Sequence, residues 1–146
     1  MTPKHYWKVR DEPYFNDKGL YIISCKTLAR KHYYKVGYSG CSLKTRLAQF
    51  HEVLSPVFGE SLLVYGIVIP KQGKSGERKN VRASDLNQLE KDIHEQYKGD
   101  RLKNPDTGRM TEWIEEPDIY ELFNVIQGMF DNHHNTWRQH FNFIKL

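Results

Sequence analysis

The chain has 146 residues, which suits one domain with a real core. Its 38% apolar and 13% aromatic content excludes an intrinsically disordered chain. A net charge of +4 and a pI near 9.0 favour a polyanionic partner without requiring one.

The N-terminal stretch "MTPKHYWKVRDEP" has no apolar signal core. The first strand is expected in "GLYIISCK", Gly19 to Lys26, after the turn signal "NDKG". A second follows in "HYYKVGYS", His32 to Ser39, and the short segment between them, with Arg30 and Lys31, fits a hairpin loop. Leu43, Leu47, Phe50 and Leu54 recur at the helical period. "SLLVYGIVIP", Ser61 to Pro70, reads as a third strand ended by proline. Its apolar core, Leu62 to Ile69, is far shorter than the ~20 residues of a membrane span. "PKQGKSGERKN", Pro70 to Asn80, is the one linker-like segment. Leu86, Leu89, Ile93 and Tyr97 form a second helical stripe, with Ser84 as its expected N-cap. Ile119, Leu122, Phe123, Ile126 and Phe130 form a third, after Pro117. The tail "HHNTWRQHFNFIKL" is expected to dock as a short helix.

These elements predict an α+β fold: a small three-stranded antiparallel sheet flanked by helices. Residues 1–17 are expected to form an N-terminal extension, 18–116 the domain proper, and 117–146 a C-terminal helical extension packed on it. Two cysteines, Cys25 and Cys41, make neither a disulfide framework nor a zinc quartet, so reduced thiols are expected. An intracellular protein, neither secreted nor membrane-bound, is the resulting expectation.

Arg46 raises the first functional question. Ser42 is a good N-cap, which puts Arg46 in or just past the first turn of the following helix. At about 100° per residue it lies roughly 60° from Leu43, at the rim of the apolar stripe. Its stem can pack on the core while its guanidinium reaches outward. The helix N-terminus, with its free N–H groups, faces the same space. A forked cation beside a helix N-terminus suits a phosphate oxygen, although the helix alone favours a solvated surface arginine.

The wider order of motifs bears on this choice. "GLYIISC", then "KVGYS", then Arg46 on the next helix, then "TEWI" with Glu112, resembles the GIY-YIG nuclease superfamily. The GIY element stands as Gly19-Leu20-Tyr21 and the YIG element as Lys35-Val36-Gly37. Arg46 follows that glycine by nine residues. "LNQLEKDIHEQYKGDRL…TEWIEE" is similar to a branch common in phages and large DNA viruses, in which Lys stands for the second Tyr. The likeness covers about Lys18 to Glu116.

The resemblance implies metal-dependent hydrolysis of a nucleic-acid phosphodiester, with DNA, or else RNA, as partner and one Mg²⁺ or Mn²⁺ as cofactor. It implies Tyr21 near the nucleophilic water, Arg46 on the phosphate and Glu112 on the metal. Such chemistry must deprotonate a water, stabilise charge on the phosphate and neutralise the leaving oxygen. Lys35 departs from the commoner Tyr. It can accept a proton only when neutral, and its other reading is electrostatic, beside the Tyr21 hydroxyl or a phosphate. Strand alternation puts Lys35 and Gly37 on one face and Tyr34, Val36 and Tyr38 on the other. Lys35, Arg46 and a metal together predict lowered pKa values for Lys35 and Tyr21.

His51 is a further catalytic candidate, near where the family often has a histidine. It lies about 140° around the helix from Arg46, which also suits an interface residue. Glu90 and His94, four apart on a helix, read as a structural pair, and Cys25 as packing. Lys71, Lys74, Arg78, Lys79 and Arg82 form the densest basic segment. Such a loop can follow a phosphate backbone, or equally lie free in solvent. The histidines of the tail, His133, His134 and His140, lack the frame of an HNH nuclease. The expected function is a GIY-YIG-type DNA endonuclease; the rival is an inactive module of that fold that binds nucleic acid or builds an assembly such as a virus particle.

Overall fold

The computed structural model describes residues 3–71, 83–132 and 140–146. The three helices expected from the apolar stripes form. Helix α3 (Leu43–Phe58) begins at Ser42, whose hydroxyl accepts from the Thr45 N–H at 3.1 Å, and ends at Gly59 in the left-handed region. Helix α4 (Ala83–Gln96) starts one residue before the expected cap Ser84. Helix α5 (Ile119–Asn132) starts after Asp118, whose carboxylate accepts from the Tyr120 N–H at 3.0 Å.

The sheet is larger than expected. Among the described residues it has seven strands, all paired antiparallel, where the sequence predicted three. The three expected ones are its centre: β2 (Gly19–Ser24), β3 (Tyr33–Ser39) and β4 (Leu63–Pro70). The connection from β2 to β3, expected as a loop, carries a short helix α2 (Lys26–Arg30). Strands β5 (Arg101–Lys103) and β6 (Met110–Glu115) form a hairpin that extends the sheet beyond β3. A two-residue strand β1 (Lys4–His5), followed by helix α1 (Tyr6–Val9), pairs with one end of β4.

The C-terminal segment corrects a second expectation. Residues expected to be helical form strand β7 (Phe141–Lys145), which pairs with β4 from Gly66 to Pro70. Alternation explains it: Phe141 and Phe143 pack with the apolar cluster on one face of the sheet and Ile144 with the cluster on the other. Two apolar clusters cover the two faces. On one, Leu20, Ile22, Tyr34, Val36 and Ile114 pack with Leu86, Leu89 and Ile93 of α4 and with Leu122, Phe123 and Ile126 of α5. On the other, Tyr21, Ile23 and Ile67 pack with Leu43 and Leu47 of α3 and with Phe15. Side chains on α3 and α4 thus approach β2 and β3 from opposite sides.

Candidate functional site

The site grows from an interruption in the sheet. Strands β3 and β6 pair at Tyr33–Glu115, Tyr34–Ile114 and Lys35–Trp113, and there the pairing stops. Strand β6 goes on to pair with β5 as far as Met110. The two strands therefore form a fork, with Gly37 on one arm and Glu112 on the other.

Across β3, Gly37 is paired with Tyr21 of β2. A Cβ on Gly37 would sit 2.6 Å from both the Tyr21 ring carbon that bears the hydroxyl and Glu112 Oε2. No side chain fits there, so glycine lets the phenol and the carboxylate meet over the bare backbone. The Tyr21 hydroxyl donates to Glu112 Oε2 at 3.3 Å. Lys35 Nζ lies 3.5 Å from the same oxygen, with only 17% of its side chain exposed. The ammonium sits 4.4 Å from the centre of the Phe50 ring and 5.9 Å from that of Trp113. Aromatic faces hold a cation in place. Phe50 also packs on the Tyr21 ring, at 5.5 Å.

Arg46 is half-buried, and its Nε is enclosed without a hydrogen-bond partner among the described residues. It is close enough to act on the Tyr21 phenol electrostatically. The phenol's pKa is nonetheless pushed up, not down as the sequence predicted. Burial is the first cause and the Glu112 charge the second, and Arg46 only opposes them. At neutral pH Tyr21 is therefore a hydrogen-bond donor.

Glu90, read from the sequence as a structural partner of His94, completes the cluster. From α4 it accepts from the backbone N–H of Tyr38 and shares a hydrogen bond with Glu112. Burial, then the Glu112 charge, raises its pKa to about 7. Two carboxyl groups held together in this way share a proton that a cation can replace. Among the described residues no group of three His, Cys, Asp or Glu could hold a metal. An ion here would have Glu112 and Glu90 and fill its shell with water and substrate oxygens, which suits Mg²⁺ or Mn²⁺. The residues thus fit the implied ion.

His51 does not join the cluster. Its Nδ1 accepts from the Leu62 N–H at 3.5 Å and its ring packs 5.7 Å from that of Tyr6. Phe50, one turn after Arg46, takes the inward position instead. Of the basic segment, Lys71 continues the β4–β7 edge, its N–H donating to the His140 carbonyl at 2.8 Å. Lys74, Arg78, Lys79 and Arg82 lie outside the described residues, as do His133 and His134. An apolar cavity of about 440 Å³ lined by Pro3, His5, Lys26, Glu60, Ser61 and Leu63 contains none of the cluster. Among the described residues no helix is long and apolar enough to cross a membrane.

Compared with known proteins, residues 18–137 match the family model described as T5orf172 domain. No curated protein and no solved structure gave a match.

Proposed function

The chain belongs to the T5orf172 domain family, and from that premise we propose that it is a divalent-metal-dependent endonuclease that hydrolyses DNA phosphodiester bonds by the GIY-YIG mechanism. The family is one of phage-derived domains associated with nuclease-type modules. The observation that carries the reading is the meeting of Tyr21, Glu112 and Lys35 over Gly37. The enclosed, unpartnered Nε of Arg46 supports it, because such a donor calls for an anion.

Each residue then has a task. Arg46 binds the scissile phosphate and offsets the charge that grows on it. Glu112 and Glu90 would hold the ion, whose chemistry would be to polarise the phosphate and neutralise the leaving oxygen. Tyr21 orients the attacking water. As a protonated phenol that donates to Glu112 Oε2 at 3.3 Å, it positions that water and does not take its proton. Lys35 steadies the Glu112 carboxylate and adds positive charge where the phosphate enters.

Incubation with supercoiled plasmid tests the proposal. Nicked or linear product is expected with Mg²⁺ or Mn²⁺ and none with EDTA. An intact plasmid in every metal would leave the inactive module in its place.

A further inference from the structure

The fork between β3 and β6 has a builder that the proposed chemistry does not use. Its bonded rungs alternate along β3: the Glu116 N–H donates to the His32 carbonyl at 2.8 Å, so Tyr34 and then Val36 present their backbone groups on the same edge. One step past Lys35–Trp113, the register sets Val36 opposite Glu112. In a continued ladder the Glu112 N–H would donate to the Val36 carbonyl.

His94 stands at that carbonyl. Its Nε2 lies 2.7 Å from Val36 O, in a fully packed environment where the residue is 6% exposed. A carbonyl only accepts, so Nε2 must carry the ring proton. Burial lowers the imidazole's pKa, so near neutral pH the ring carries a single proton, which the Val36 carbonyl fixes on Nε2. One turn earlier on α4, Glu90 takes the Tyr38 N–H, the next group on the same β3 edge. The i,i+4 pair thus occupies the edge that β6 leaves.

We infer that α4 stands in for a strand beside β3, and that His94 is a positioning residue which ends the β3–β6 ladder at Val36 and so frees Glu112 to turn its carboxylate over Gly37. The effect on chemistry rests on the proposed nuclease activity; the effect on the ladder does not. Without a donor at position 94, the β3–β6 register offers the Val36 carbonyl the Glu112 N–H. Taking it would zip β6 one rung further and draw the carboxylate away from Tyr21.

Residue-resolved amide exchange by NMR on wild type, His94→Leu and His94→Gln tests this. In the wild type the Glu112 amide should exchange faster than that of Ile114. Leucine fills space but cannot donate, and the Glu112 amide should slow at least tenfold. Glutamine restores a donor, and the exchange should return to the wild-type rate. In plasmid cleavage, His94→Leu should lose at least tenfold in kcat with little change in KM, and His94→Gln should recover most of it. A wild-type Glu112 amide as protected as that of Ile114, an unchanged amide in His94→Leu, or full cleavage by that variant would overturn the inference. If His94→Leu does not fold, ¹⁵N shifts of the wild-type ring decide, since an unprotonated Nε2 contradicts it. If the wild type cleaves nothing, the nuclease reading fails alone and amide exchange still decides the role of His94.

Discussion

At the scale of the residue, Gly37 shows how a missing side chain makes a site. Glycine is required here by close approach, not by backbone angle, because an added Cβ would sit within 2.6 Å of Glu112 Oε2. Alanine must push the phenol and carboxylate apart. Gly37→Ala should therefore lower cleavage by about 10²-fold, the cost of misplacing reacting groups by an ångström. Circular dichroism should still report a folded protein. Near-wild-type cleavage by this variant would mean that the Tyr21–Glu112 contact is incidental.

Tyr21, Lys35, Gly37 and Arg46 were singled out in the sequence by the resemblance to a known family, which rests on short motifs along two strands and one helix. Glu90 was not. It lies far from Glu112 along the chain, on a helix whose polar positions look solvated. Only the β3–β6 fork brings the two together. The available signal was the pair Glu90 and His94 at helical spacing, two polar groups next to the apolar stripe of Leu86, Leu89 and Ile93.

At the scale of the element, α3 and α4 do different work. Helix α3 supplies Arg46 and, one turn on, Phe50, which holds both Tyr21 and Lys35. The same geometry turns His51 toward Tyr6 and Leu62. Helix α4 supplies a carboxyl group that resists ionisation. Its folded pKa of about 7 stands above the ordinary 4.5, so the metal-free folded state holds the proton more tightly than the unfolded one. That contribution to stability is full below pH 4.5 and is lost as the pH rises through about 7. Glu90→Gln keeps the neutral shape and removes the titration. In EDTA it should raise Tm over wild type at about pH 8 and change it little at about pH 5. The opposite order would place Glu90 in an ordinary solvated setting.

At the scale of the whole molecule, the central strands were readable from β-branched and aromatic runs, while the outer ones were not. Strand β7 exists through pairing with β4, a partner more than seventy residues away along the chain. Its alternation of Phe141, Asn142 and Phe143 was the local trace. Aromatic content was instead read as a docked helix. The strand is part of the core: Phe141 is 3% exposed, and Phe143 packs on Phe123 at 5.8 Å. Phe141→Ala should accordingly cost about 3 kcal/mol in urea unfolding. A loss under about 0.5 kcal/mol would mark the segment as an attachment to an otherwise complete domain.

The central claim is that one cluster of Tyr21, Arg46 and Glu112 cuts DNA. The most direct test is the single-turnover rate of plasmid cleavage in Mg²⁺ for the wild type, Arg46→Ala and Glu112→Ala, each verified as folded. Arg46→Ala removes the charge proposed to meet the phosphate, and Glu112→Ala removes the group that touches Tyr21 and Lys35. Both should fall by about 10²-fold or more, the cost of losing a positioned charge stabiliser. Cleavage at the wild-type rate by both variants would contradict the account.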